Sequence, residues 1–275
     1  MPLLETPQRY PGRLMENGVP EKMFKENNQA MLREVAQRMG ALCESVVFLG
    51  GAVLPFLLTE GLSDYVRYAK DVDFIIDFDD KEELFLFEDA LWERGFKKVS
   101  NGAVCQWILG RIKIDALPAD PEVLTFNNQW CAEAMQYAQR IEIGEGLSVN
   151  TISAAYYLGT KLNAFDRRGF GHFSKSKDVF DMLLIFAGHE TLEHEVETQT
   201  TLIFKTFLWE KLCKIQKESA GFSQIAARGF EREPALQQAL PKAVSCIKNI
   251  IALTAPADGT LLPASQGPVR GEGSE

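Results

Sequence analysis

Phe48-Leu49-Gly50-Gly51-Ala52, followed twenty residues on by Lys70-Asp71-Val72-Asp73-Phe74, is the pair of segments that decides how this chain is read. Residues 45–49 form a short apolar run rich in Val and Phe, which predicts a buried strand. The run ends at Gly50-Gly51, and residues 52–59 are predicted to be helical. Glycine lets the backbone approach a ligand closely, and a helix start exposes unpaired N–H groups. The junction is therefore a candidate phosphate seat. The same residues also make a plain strand-to-helix turn. No GK[ST] comes after them and no GxGxxG is present, so this is neither a Walker A loop nor a dinucleotide fingerprint.

Residues 71–78 predict the next strand. On a strand, residues i and i+2 point to the same side. Asp71 and Asp73 then project together, while Val72 and Phe74 face the core. Two adjacent carboxylates repel each other, and a divalent cation with hard oxygen ligands relieves that repulsion. A solvated strand edge is the plainer reading of the same pair. Asp77 and Asp79 repeat the spacing but belong with Asp80 and Glu83 at the start of a helix over 80–93, where acidic residues suit the helix dipole. Strands over 104–109 and 111–117, split by Gly110, read as an antiparallel hairpin. Within it Ile112 and Ile114 alternate with Lys113 and Asp115, which puts Asp115 on the polar face. If this strand neighbours the one carrying Asp71 and Asp73, three carboxylates converge, enough to hold Mg²⁺ or a pair of ions about 3.5–4 Å apart. An ordinary amphipathic strand gives the same alternation.

Segment 161–177 holds Lys161, Arg167, Arg168, Lys175 and Lys177 against one acid, Asp166. This reverses the sign of a chain with 29 Lys+Arg, 38 Asp+Glu and a net charge of −9. Lys161 and Arg168 are seven apart and share a helix face if the helix persists. Such a segment can clamp a triphosphate or an RNA backbone, or it can be a solvated loop. Asp178 and Asp181 come next at i, i+3, placed to orient Lys161 or Arg168 through ion pairs or simply to decorate the helix start. His189 and His194 are five apart, one more than the HExxH spacing that brings two histidines onto one face, so that region reads as a solvated loop or helix end. Ser63 and Ser176 have no evident His partner, so a hydrolase triad has no support.

Working outward, 46% hydrophobic and 24% charged residues describe a globular chain able to bury a sizeable core. The apolar stretch 46–58 is too short and too interrupted to span a bilayer. No signal peptide is apparent, and five cysteines without CxxC spacing predict reduced thiols in a cytoplasmic protein. Broad binding to nucleic acid or to an anionic membrane is disfavoured by the acidity. Helical patterns over 22–39 and 128–139 and strand signals over 140–149 complete the first half. From 151 onward the signal is helical, with a kink expected at Pro241. The fold class is α+β: a mixed sheet flanked by helices with a C-terminal helical domain. The expected organisation is a flexible arm (1–20), an α/β domain (21–150), a helical domain completing the site (151–254) and a disordered tail (255–275).

In this order the pieces resemble the polymerase-β-like nucleotidyltransferase superfamily. They resemble more closely the AbiEii/AbiGii-type nucleotidyltransferases, many of which are toxins of type IV toxin–antitoxin systems. The stretches that carry the resemblance are FLGGA (48–52), VRYAKDVDF (66–74), IKIDA (112–116) and LGTKLNAFDRRGFGHFSKSKDVFD (158–181). The resemblance implies a nucleotidyltransferase-like sheet and transfer of an NMP group from an NTP to an acceptor. It implies Asp71, Asp73 and Asp115 as ligands of Mg²⁺ or Mn²⁺, and Gly50 and Gly51 as the triphosphate seat. Arg67 would contact phosphate or brace the loop, Lys161 and Arg168 would contact phosphates, and Asp178 and Asp181 match the acidic pair. It also implies a tRNA or other RNA acceptor, with protein or small-molecule acceptors left open, and an antitoxin partner. Ala69 stands where the family commonly has Thr or Ser, and His172 where it often has an acid. A catalytically weak nucleotide-binding or regulatory module that keeps the fold is the alternative.

Overall fold

The computed structural model describes residues 23–59, 61–78, 81–99, 105–120, 129–168, 176–218 and 233–256. The arm 1–20, the tail beyond 256, the Asp79–Asp80 helix start and the 169–175 part of the basic segment lie outside these residues. The architecture is a seven-stranded mixed sheet flanked by helices, with further helices gathered toward the C-terminus.

Helix α1 (Met23–Met39) leads through a 3₁₀ segment (Gly40–Ser45) into strand β1 (Val46–Leu49), all four of whose residues are buried. Strand β2 (Asp71–Ile76) alternates as its sequence demands, with Val72 and Phe74 inside and Asp71 and Asp73 half-buried on the other face. Next come helix α2 (Lys81–Glu93), strand β3 (Lys97–Lys98) and the hairpin of β4 (Gln106–Leu109) and β5 (Ile112–Pro118). Helix α3 (Cys131–Gln136) precedes a second antiparallel pair, β6 (Gln139–Gly144) and β7 (Leu147–Thr151). The sheet order is β3-β4-β5-β2-β1-β7-β6. Strand β1 runs antiparallel to β2 and parallel to β7, and β2 runs parallel to β5. The β2/β5 register sets Asp73 directly opposite Asp115 and Asp71 opposite Lys113.

After β7 the described residues form the helices α4 (Ala154–Arg167), α5 (Lys177–Gly188), α6 (Leu192–Thr198), α7 (Leu202–Glu218) and α8 (Pro234–Thr254). Ser153 caps α4 by accepting from the Tyr156 N–H, and Ser176 caps α5 by accepting from the Val179 N–H. Both satisfy an N–H that a helix start otherwise leaves unpaired. Helix α8 continues through Pro241, which lacks the donor for the bond back to Gln237. Phe48 and Phe74 meet edge-on across β1 and β2 at 5.8 Å. The buried residues of the sheet and of α4, α5, α7 and α8 form one continuous apolar cluster. Gly159 lets α4 and α7 approach closely, since a Cβ there would lie 2.3 Å from the Phe204 ring. Among the described residues no helix is long and apolar enough to cross a membrane. The five cysteines are free thiols.

Two expectations are corrected. Residues 52–59 are not an α-helix. Gly50 adopts φ +81°, a conformation that turns the chain, and the backbone continues through a turn and a single 3₁₀ turn (Leu54–Phe56) containing Pro55. His189 stands at a helix end, the C-cap of α5, but it is half-buried rather than solvated. Its Nδ1 lies 2.7 Å from the Leu57 carbonyl and its Nε2 lies 2.6 Å from Glu195 Oε1, while Glu195 is buried and also accepts from the Ala155 N–H. Both ring nitrogens face acceptors, so the imidazolium is the form that satisfies both. This tie joins the segment after the glycine turn to α4 and α6.

Burial opposes the charge on His189, but the Glu195 hydrogen bond and charge outweigh it and raise the imidazole above its ordinary 6.5. Burial likewise opposes ionisation of Glu195, yet the His189 bond and charge hold it below its ordinary 4.5. The raised His contributes stability that is complete below 6.5 and lost as pH rises through its folded value. The lowered Glu contributes stability present above 4.5 and lost as pH falls through its folded value. Glu195→Gln is therefore expected to cost about 2 kcal/mol in urea denaturation near pH 5.5, with the gap to wild type shrinking at pH 9. A gap that stays constant across that range would show that the imidazolium contributes nothing.

Candidate functional site

The site is built where β2, β5 and the glycine turn meet the first turns of α5. Asp71 and Asp73 share a face of β2 because they are two apart, and Asp115 joins them because β5 pairs with β2 in register. One carboxylate oxygen from each of the three lies within 4.8 Å of the others. Burial pushes the Asp73 carboxyl up to about 8, with the charges of Asp71 and Asp115 adding to the effect. Burial and Asp71 also raise Asp115, which a hydrogen bond from Gln106 on β4 partly offsets. Three hard oxygen donors that disfavour one another's ionisation fit a divalent cation of the Mg²⁺ or Mn²⁺ type, which would relieve that repulsion.

The glycine turn is pressed against this cluster. A Cβ on Gly50 would lie 2.0 Å from Asp73 Oδ2, and one on Gly51 would lie 3.2 Å from Ala69 Cβ and 3.5 Å from an Arg67 guanidinium nitrogen. Gly50 thus serves a close approach as well as a positive φ, and Ala69 supplies the small neighbour that Gly51 packs on. The phosphate-seat argument from a helix start does not hold here, because no α-helix succeeds the turn. The proximity of the turn to the carboxylates does hold.

A cationic half lies beside the acidic one. Asp181, fully buried on α5, accepts from Arg67 Nε at 3.0 Å, from a terminal Arg67 nitrogen at 2.7 Å and from Lys161 Nζ at 2.7 Å. Burial alone would raise Asp181, but Lys161 and Arg67 overcome it and hold the carboxyl below its ordinary value. The Arg67 guanidinium is held above its ordinary value, since Asp181 outweighs the cost of burial. Asp178 pairs with Arg168 and lies 3.7 Å from Lys161. The sequence expectation that Asp178 and Asp181 orient Lys161 and Arg168 thus agrees with the geometry. Lys161 Nζ also sits 5.2 Å from the centre of the Tyr157 ring.

Two participants are not singled out by the sequence. Asn28 is fully buried on α1, where its Nδ2 donates to the Arg67 carbonyl at 2.8 Å and its Oδ1 accepts from the Ala69 N–H at 2.8 Å. This clamp fixes the segment that leads into β2. The only signal for it is a polar residue four positions after Phe24 and four before Leu32, on the apolar face of α1. Lys177 belongs to the basic segment, but its spacing suggests no role of its own; in the fold its charge favours the ionised form of Asp73.

No protein-family model matches the chain, and none of the curated proteins matches it. Among solved structures, an antigenic nucleotidyltransferase-like protein from Paracoccidioides brasiliensis is 18% identical with a TM-score of 0.48, covering 73% of this chain and 92% of its own. JHP933 from Helicobacter pylori is 12% identical with a TM-score of 0.42, covering 85% of this chain and 94% of its own. Neither likeness assigns a role to a residue of this chain.

Gly50→Ala is expected to destabilise the protein by about 1–3 kcal/mol in urea denaturation, since it combines a strained φ with displacement of Asp73. It should also abolish any stabilisation of the protein by Mg²⁺ or Mn²⁺. Asp181→Asn removes the shared partner of two largely buried cations and is expected to cost about 3–5 kcal/mol by the same measurement.

Proposed function

We propose that this protein is a metal-dependent nucleotidyltransferase that moves an NMP group from an NTP to an acceptor, of the polymerase-β-like superfamily and its AbiEii/AbiGii-type branch. The observation that carries the reading is the placement of three carboxylates within 4.8 Å of one another against the Gly50-Gly51 turn, with a lysine–arginine cluster alongside. The acidic half suits a cation and the cationic half suits polyphosphate, so together they suit a metal nucleotide.

Asp71, Asp73 and Asp115 would hold Mg²⁺ or Mn²⁺, which when bound supplies activation of the acceptor oxygen and offsets phosphate charge. Gly50 and Gly51 would seat the triphosphate with the backbone of a turn that their missing side chains let pack directly on Asp73 and Ala69. Lys161 and Arg168 offset the charge that develops on the departing pyrophosphate, an electrostatic contribution made by groups already in position. Asp178 and Asp181 hold those cations in place, and Arg67 braces the glycine turn while tied to Asp181 and Asn28. The division of the chain near residue 150 then separates a part that supplies the metal ligands and Arg67 (21–150) from a part that supplies Lys161, Arg168 and the acids that hold them (151–254). An RNA acceptor such as tRNA would reach the site through segment 161–177. The toxin-like reading adds an antitoxin protein partner and a cytoplasmic setting.

The test is transfer of label from α-³²P NTPs, with Mg²⁺ and total cell RNA and protein as acceptors. Wild type is expected to release pyrophosphate and label an acceptor, and Asp71→Ala and Asp73→Ala are expected to lose at least about a hundredfold of that rate. Equal transfer by the variants would remove the carboxylates from the site. Mg²⁺-dependent thermal stabilisation by NTPs without pyrophosphate release would instead favour the nucleotide-binding module.

A further inference from the structure

Four cationic side chains surround the first turns of α5: Arg67, Lys161, Arg168 and Lys177. Three of them are engaged by the helix's own acids, Arg67 and Lys161 by Asp181, and Arg168 by Asp178. Lys177 has no ion pair among the described residues, and it is exposed. It is the first residue of α5 and stands one turn before Asp181. That i, i+4 spacing puts it on the same stripe of the helix as the carboxylate that gathers Arg67 and Lys161.

Its surroundings oppose its charge. Partial burial holds the Lys177 ammonium below its ordinary value, and Arg67, Arg168 and Lys161 add to this while Asp178 offsets it in part. The positive end of the α5 dipole is a further cost to a cation at this position. Lys177 in turn favours ionised Asp73, so it lies within electrostatic reach of both the cationic cluster and the metal-type carboxylates. A second group on the same side lacks a partner among the described residues. Tyr157 is fully buried beside Lys161, its hydroxyl makes no hydrogen bond there, and it feels the charges of Asp181, Arg67, Asp178 and Asp73. An exposed cation held against repulsion, together with an orphaned buried hydroxyl beside Lys161, describes a cluster arranged for an anionic ligand rather than for the stability of the free protein.

We propose that Lys177 is a polyphosphate-binding residue that, with Arg168, takes the terminal phosphates of the nucleotide, while Arg67 serves as the framework and Lys161, joined to it through Asp181, faces the departing pyrophosphate. The proposal rests on the nucleotidyl-transfer reading and adds to it which cations carry charge not already spent on Asp181. Polyphosphate is favoured over a nucleic-acid backbone because the exposed cations are compact and flanked by acids on a chain of net charge −9, whereas a backbone needs an extended basic track.

The experiment compares full-length wild type, Lys177→Gln and Lys177→Arg for binding of inorganic tripolyphosphate with Mg²⁺ present, by calorimetry and thermal shift. Lys177→Gln is expected to raise the Tm of the free protein, because repulsion is relieved, and to weaken tripolyphosphate binding about tenfold or more. Lys177→Arg is expected to keep the affinity within about threefold, since it keeps the charge. Lys97→Gln, at an exposed lysine on the edge strand β3, is expected to change neither. Wild-type affinity in Lys177→Gln, or equal loss in Lys177→Arg and Lys177→Gln, would overturn the proposal. So would a short RNA without a 5′ triphosphate that bound with the same dependence on Lys177. If Lys177-dependent tripolyphosphate binding is found but no label is transferred from NTPs, the transfer reading fails and the phosphate assignment stands. If label is transferred and Lys177→Gln has an unchanged KM for NTP, the assignment fails and the transfer reading stands.

Discussion

A single buried carboxylate organises this molecule. Asp181 lies on a helix that is otherwise almost wholly apolar from Val179 to Gly188, where an unpaired charge would be prohibitive. It is made tolerable by two cations from different parts of the chain, Arg67 from the approach to β2 and Lys161 from α4. The triad therefore joins sheet and helices by a connection in which no partner can leave without stranding the others. Arg67 is held from its other end as well, since Asn28 grips the backbone on either side of Tyr68. The result is that the glycine turn, which packs on Ala69 and Arg67, inherits its position from an ion pair with a helix more than a hundred residues away.

The acidic cluster depends on a different constraint, strand register. Asp73 and Asp115 stand opposite each other because β2 and β5 pair in parallel with no bulge between them. A slip of one residue would send Asp115 to the apolar face and Ile114 into the site. The packing of Val72, Phe74, Ile114 and Ala116, all buried, prevents that slip. The carboxylates are thus held together by hydrophobic burial on the reverse of the same strands, against their mutual repulsion. Burial raises both Asp73 and Asp115, and that repulsion adds to the effect.

These two constraints place an anionic patch and a cationic patch side by side across the seam between sheet and helices. Neither patch is neutral by itself, and the glycines between them keep side chains out of the space they share. The His189–Glu195 tie anchors Leu57 of the post-glycine segment to α6. Stability in the core and charge repulsion among the carboxylates are complementary: the apolar cluster is continuous enough to hold three acids against one another.

Local physics made much of this legible without coordinates. Alternation in β2 and β5 puts Asp71, Asp73 and Asp115 on polar faces whatever the topology, because the side-chain period of a strand is two. The i, i+3 spacing of Asp178 and Asp181 and the net positive segment before them are likewise properties of the sequence. The sequence could not determine which strands become neighbours, since pairing of β2 with β5 is chosen by the burial of side chains distant in the chain. For the same reason it could not identify Asn28 as a clamp, or His189 as part of a buried pair, because each meets its partner only after folding. The predicted helix after Gly51 shows the converse: apolar residues suit either state, and the turn at Gly50 together with Pro55 decided for a single 3₁₀ turn. Residue types and their facing were set locally by backbone geometry. The convergence of Asp181, Arg67 and Lys161, and with it the shape of the site, was decided by tertiary packing, because a buried charge takes whichever opposite charge the fold brings to it.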